Sequence, residues 1–228
     1  MSDLLTVSPA WYAAHPGATY GLMAFRGVQN PPNHEGINAA AADLERSLRA
    51  RFSVEERDAL RATPPLPAYA AYYKRWGQRY HVGMQLESVA LKGKPVPRVA
   101  ALVEAMFVSE LANLLLTAGH DLDQLSLPVV LEAGGGQEFT APNDKPQVVK
   151  DGDMFTADAE GRVLSAVITG PSGVARISPE TTAALFYAYG PPGISADEMS
   201  AHLDAIARNV RLISPAAVTV AREIITAP

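Results

Sequence analysis

There is no cysteine in these 228 residues. That excludes disulfides, thiol nucleophiles and cysteine-bound zinc, and it fits a reducing compartment. Long uncharged apolar runs are missing as well. The most apolar span, Val99 to Ala118, contains Glu104 and Glu110, so it reads as a buried helix and not as a membrane span. The start, Met1-Ser2-Asp3-Leu4, has neither a basic lead nor an apolar stretch, which implies no export signal. A cytoplasmic protein is expected. Histidine is sparse, and His15, His34, His81, His120 and His202 form no His-x-x-x-His pair for zinc. No metal or cofactor is expected. Nor is there an ATP-binding or adenylate-forming motif, so the chain is not a complete ligase. The net charge of −5 argues against strong non-specific nucleic-acid binding; any such binding should be local, weak and salt-sensitive.

What is present is an ordinary globular composition, 48% hydrophobic and 19% charged, in a chain long enough to bury a substantial core. One stretch departs from the average. Between Lys74 and Arg98 lie Lys74, Arg75, Arg79, Lys92, Lys94 and Arg98, against a single acid, Glu87. A positive island on an acidic chain points to an anionic partner, or else to a solvated helix face. Trp76 and Tyr69, Tyr72, Tyr73 and Tyr80 interleave with these cations. Aromatics beside Arg can stack unpaired bases; they can equally fill the buried half of an amphipathic helix.

The periodicity predicts an α+β fold. Tyr20 to Val28 reads as a strand, closed by the loop signal Asn30-Pro31-Pro32-Asn33. Leu44, Leu48 and Phe52 at four-residue steps predict a helix over Ile37–Phe52. Ser53-Val54-Glu55-Glu56 has the pattern of a capping box. Further helices are expected over Pro67–Trp76 and Met84–Lys92. The span Val99–Ala118 should form the central core helix, with Gly119 just past its end. From Pro128 the period changes. Short alternating runs at 128–133, 147–149, 153–157 and 163–169 predict a mainly antiparallel, meander-like sheet packed on that helix. Ser195-Ala196-Asp197-Glu198 has the pattern of a second capping box. It opens a helix with Met199, Leu203, Ile206 and Val210 on one face. Ala217–Ile225 is ambiguous between strand and helix. One domain is expected over 1–228: a mainly helical part, 1–93, and a core helix plus sheet, 94–228.

Few constellations carry chemistry. Gly134-Gly135-Gly136 lies between two strand patterns, which suits a hairpin turn better than a phosphate cradle. No Gly-x-Ser-x-Gly elbow surrounds Ser172, Ser178 or Ser214. His120, Asp121 and Asp123 read as a metal cluster, as an acid/base or substrate-binding set, or as a turn in which the Asp side chains cap free amides, and the turn is favoured over the metal.

Four local patterns resemble one family. These are Lys74-Arg75-Trp76-Gly77, the run Leu86–Lys94 with its Lys-Gly turn, Asp121-Leu122-Asp123-Gln124-Leu125, and Ile177-Ser178-Pro179-Glu180-Thr181-Thr182. In order and spacing they resemble stand-alone relatives of the B3/4 domain, the editing module of the phenylalanyl-tRNA synthetase β-subunit. Residues 1–70 match only loosely. The resemblance implies a module that binds tRNA or its aminoacyl end, with deacylation of mischarged tRNA as the associated activity. On that reading the basic island, Lys74, Arg75, Arg79, Lys92 and Lys94, would contact the tRNA, and Arg98, Glu104, Asp121 and Asp123, at or beside the family's pocket positions, would contact the substrate. The family's pocket His falls on Ala118 and its pocket Glu on Val174, so any hydrolysis would have to use His120, Arg98 or Glu104, and of these His120 is the best suited, because an imidazole can act near neutral pH. The alternative is a binding protein for a small amino-acid-like ligand, with no RNA partner and no turnover.

Overall fold

The computed structural model describes residues 3–52 and 57–228. The capping-box reading at Ser53–Glu56 lies outside the described residues. The element order is β1 (Leu5–Val7), α1 (Pro9–Ala14), β2 (Thr19–Arg26), α2 (Glu35–Arg51), α3 (Arg57–Arg61), α4 (Leu66–Lys74), α5 (His81–Lys92) and α6 (Ala101–Asn113). Then come β3 (Leu116–Asp121), a 3-10 turn at Leu122–Gln124, β4 (Val129–Gly134), β5 (Glu138–Thr140), β6 (Pro146–Val148), β7 (Asp153–Ala157), β8 (Val163–Ala166) and β9 (Gly170–Pro171). The chain closes with β10 (Ala183–Gly190), α7 (Ala196–Ile213) and β11 (Val218–Thr226). The fold is α+β and mainly antiparallel, as the sequence predicts; among the described residues only β1 and β4 pair in parallel. Among the described residues no helix is long and apolar enough to cross a membrane.

Of the runs expected as a meander-like sheet, β4, β7 and β8 lie in order as antiparallel neighbours with β9 beyond them, and the chain forms a second sheet and a small hairpin besides. A four-stranded sheet runs β11-β2-β10-β3, a five-stranded sheet β1-β4-β7-β8-β9, and β5-β6 stand apart. Helix α7 packs on β2, β11 and α6, and α2 packs on α6 and α7. These helices cover one face of the four-stranded sheet, and side chains from its other face meet the five-stranded sheet. The capping box at Ser195 forms: Ser195 Oγ accepts from the Glu198 amide at 3.1 Å, and Glu198 Oε2 accepts from the Ser195 amide at 2.8 Å. Met199, Leu203, Ile206 and Val210 are all buried, as the four-residue pattern requires. Ala217–Ile225 resolves as an edge strand.

The central helix is shorter than its apolar run predicts. It stops at Asn113, Leu114 takes a left-handed conformation at φ 59°, and the chain reverses into β3. Residues 116–118, expected in the helix, pair with β10. A continuous apolar run suits a buried strand as well as a buried helix, so period alone cannot divide it. Gly119 is therefore no helix cap. It faces Phe186 across the strand pair, and a Cβ there would stand 2.9 Å from that ring and 3.2 Å from Ile177 Cδ1. Tyr80 holds the reversal by donating to the Leu114 carbonyl at 3.0 Å.

Two expected outcomes follow from this junction. Leu111 is fully buried in α6 and Phe107 only partly. Leu111→Ala should therefore destabilise by about 2–5 kcal/mol in chemical denaturation, and Phe107→Ala by less. Glu110, also buried, accepts the Thr117 amide at 2.8 Å across the reversal. Burial pushes its carboxyl up from 4.5 to about 8, against the pull of that amide. The folded state thus keeps a proton that the unfolded chain releases. The stability this group supplies is complete below 4.5 and is lost as pH rises to about 8. Denaturation midpoints of Glu110→Gln should fall less between these two limits than those of the wild type.

Candidate functional site

His120 sits near the end of β3, facing the five-stranded sheet. Its Nδ1 lies 3.2 Å from the Val174 carbonyl and its Nε2 3.0 Å from the Tyr187 hydroxyl. A carbonyl only accepts, so Nδ1 carries the proton and Nε2 of the neutral ring accepts from Tyr187. Tyr187 has then used its only proton, so its oxygen accepts from Ser165 Oγ at 2.9 Å. The chain continues. Tyr189 lies 2.9 Å from Ser165 Oγ and 2.8 Å from Thr156 Oγ1, which also meets the Tyr20 hydroxyl at 3.2 Å. Rings reinforce the hydrogen bonds: Tyr187 stacks on His120 on one side and on Tyr20 on the other. All six side chains are buried. Burial lowers the His120 ring from 6.5 to about 4, against the carbonyls of Val174 and Ala175.

The loop that His120 grips forms one wall of an open cleft of about 440 Å³. Val174 and Arg176 line it from that loop, Thr140 from the end of β5 and Pro142 from just beyond it, and Arg162 and Val163 from β8 and the turn before it. The Gly173 amide donates to the Thr140 carbonyl at 2.8 Å, and the Asp121 amide donates to Ala175 O at 2.7 Å. The cleft wall is thus tied to both β3 and the hairpin. Arg162 is held by Asp158, with Nε 2.8 Å from Oδ2. Arg176 donates to the Pro142 carbonyl at 3.1 Å and has no carboxylate partner among the described residues. Glu138 and Asp144 line the same cleft, so it carries both signs of charge beside the apolar surfaces of Phe139, Val163 and Val174.

The residues singled out from the sequence fall into separate groups. Asp121 Oδ1 accepts the Asp123 amide at 3.1 Å, and Oδ2 accepts from Thr181 Oγ1 at 2.7 Å. That is turn capping, and it joins the Asp-Leu-Asp turn to the Glu-Thr-Thr element. Asp123 pairs with Arg26 at 3.0 Å on the surface. Glu104 is buried at the start of α6, where Oε1 accepts the Val99 amide at 3.1 Å and Oε2 meets Arg98 at 3.4 Å. Arg98 also reaches Asn38 and, at 3.9 Å, Glu45. Neither shares a hydrogen bond or ion pair with His120 or Asp121. The basic island divides too. Lys74 and Arg79 border a groove with α5, Arg75 lies over the rings of Tyr72 and Trp76, and Lys92 and Lys94 are exposed at the end of α5. Among the described residues no group of three or more His, Asp or Glu is placed to hold a metal ion.

Sequence reading missed the network and the arginines of the cleft. Its signal was there for the network: Tyr187 and Tyr189 at a two-residue step, and single hydroxyls inside the apolar runs of β7 and β8. The ring state is testable. His120 lies below its ordinary pKa, so the stability it contributes is present above 6.5 and is lost as pH falls toward about 4. An NMR titration should show this ring neutral, protonated at Nδ1, with no step at 6.5; a step there would break the assignment.

No family model matches the sequence, and no curated protein matches it. Among solved structures, an N-terminal fragment of the phenylalanyl-tRNA synthetase β-subunit from Pyrococcus horikoshii is similar in fold only loosely, with a TM-score of 0.48 and 11% identity. The match covers 97% of this chain and 50% of that one, so this chain spans half the length of the fragment.

Proposed function

We propose that the protein binds a small amino-acid-like ligand in the cleft beside the 173–176 loop. The observation that carries this is one apolar cleft bearing both charge signs, with Arg162 and Arg176 opposite in sign to Glu138 and Asp144. A zwitterion with an apolar side chain needs that combination: a guanidinium for its carboxylate, an acid for its ammonium, and a dry wall for the rest. About 440 Å³ falls within the usual range for small-molecule sites. In this reading the His120 network is a rigid support for the loop and not a proton relay. A ring with a pKa near 4 and both nitrogens engaged is a poor base at neutral pH.

The aminoacyl-tRNA reading asks for more. A tRNA-binding surface needs cations grouped on one face to neutralise neighbouring phosphates. Here Arg98 is engaged by Glu104 and Glu45, Arg79 approaches Glu87 at 3.9 Å, and Arg75 covers two rings. That dispersal favours the free ligand over the acceptor end of a tRNA, and binding over ester hydrolysis.

One experiment compares the readings. Calorimetry with free phenylalanine and tyrosine should give saturable binding that Arg176→Ala weakens roughly tenfold, the scale of one charge-assisted contact. Filter binding at low salt should retain no tRNA. Absence of amino-acid binding sinks the proposal. Salt-sensitive tRNA retention, removed by Arg75→Glu, Arg79→Glu and Lys94→Glu together, would put the tRNA reading in its place.

A further inference from the structure

A second concavity lies far along the chain from that cleft, where α3, α4 and α5 meet. It is a groove of about 330 Å³. Leu60, Leu66, Tyr80 and Met84 supply apolar surface, and Met84 remains 39% exposed. Arg61, Lys74 and Arg79 stand around it, with Glu87 as the one carboxylate among the lining residues. Arg61 Nε already holds Glu87 at 2.8 Å. Although partial burial works the other way, Arg61, Arg57 and Arg79 keep Glu87 below the usual carboxylate range, so it stays ionised. Arg79 approaches the same carboxylate at 3.9 Å, so two arginines share Glu87, and among the described lining residues three cations against one carboxylate leave the rim positive.

The helix backbone points the same way. Gly83 lies inside α5 and lines the groove. Glycine in a helix costs up to about 1 kcal/mol relative to alanine. Neither its backbone nor its neighbours demand glycine here: a Cβ would meet only Leu66 Cδ2 at 3.5 Å and Tyr80 Cδ1 at 3.9 Å, ordinary contact distances. What a longer side chain would do is fill the groove.

We infer that this groove is a binding site for a small organic acid with an apolar body, its tail over Leu66, Gly83 and Met84 and its carboxylate at Lys74 and Arg79. Apolar walls with a cationic rim match that chemistry at both ends, and neither a neutral amphiphile nor a cation does so. The site is independent of the amino-acid-like ligand proposed above.

Octanoate is a suitable probe, with 1-octanol as its uncharged counterpart. Calorimetry with octanoate should give saturable binding with a dissociation constant on the order of 1 mM or tighter. Lys74→Glu, an exposed charge reversal that leaves the core untouched, should weaken it at least tenfold. Gly83→Leu should abolish it while circular dichroism shows the helices intact. Arg176→Ala should leave it unchanged, which separates this site from the other cleft. The inference is overturned by any of three results: no saturable heat, equal affinity for octanol and octanoate, or an affinity that both Lys74→Glu and Gly83→Leu leave as it was.

Discussion

Two sheets face each other across a layer of hydroxyl groups, and that layer constrains everything around it. Tyr20, Tyr187 and Tyr189 extend from one sheet; Thr156 and Ser165 extend from the other. None reaches solvent, so each polar atom needs a protein partner. Hydrogen bonds of 2.8–3.2 Å tolerate little sliding, so register and spacing between the sheets are set together. A leucine layer would accept several packings; a chain of single-proton donors accepts few. Removing one hydroxyl would leave its partners short by about 1–3 kcal/mol.

Helix α4 closes the end of the same interface with three more tyrosines. Tyr69 accepts the Leu116 amide at 3.0 Å and donates to the Tyr189 carbonyl. Tyr72 donates to Asp153 at 2.8 Å, and Tyr73 to the Val167 carbonyl at 2.7 Å. One helix is thereby fastened to both sheets. Asp153 in turn accepts the Ile168 amide at 2.9 Å; burial raises its carboxyl to about 6, against those bonds. Of the alternatives for the aromatics around Lys74–Arg79, the structure selects the core for the tyrosines. Buried rings whose hydroxyls are bonded inside the protein are not available to stack on bases.

The helices that the chain reveals most clearly are those whose apolar residues keep one period from end to end. Met199, Leu203, Ile206 and Val210 mark one side of α7, and a capping box fixes its start, so both pattern and boundary are local facts. The span Val99–Ala118 misleads because the apolar run Leu114-Leu115-Leu116 carries on from one element into the next. The division occurs at Leu114, a residue with no intrinsic preference for a left-handed turn. The turn is held by contacts that the local sequence does not announce: Tyr80 on the Leu114 carbonyl, Glu110 on the Thr117 amide and Tyr69 on the Leu116 amide. The cleft was less legible still. Arg162 and Arg176 stand 14 positions apart and look unrelated until β8 and the loop after β9 bring them to one cleft.

The basic island shows why density along a chain is not density in space. Lys74 ends α4 and Arg75 is its C-cap, so their side chains leave the axis about 100° apart. One reaches the groove shared with α5; the other lies on Tyr72 and Trp76, near Gly152 on the side of β7. Arg79 comes after the turn at Gly77 and returns to the groove beside Lys74. Lys92 and Lys94 follow at the far end of α5, where the carbonyls of Gly93 and Lys94 accept from Arg49. Helix geometry therefore divides a sequence-local cluster of six cations into a pair at a groove, one stacked guanidinium, two solvated lysines and one ion-paired arginine. A surface built this way can recognise a single carboxylate at the groove, where two cations converge over apolar ground.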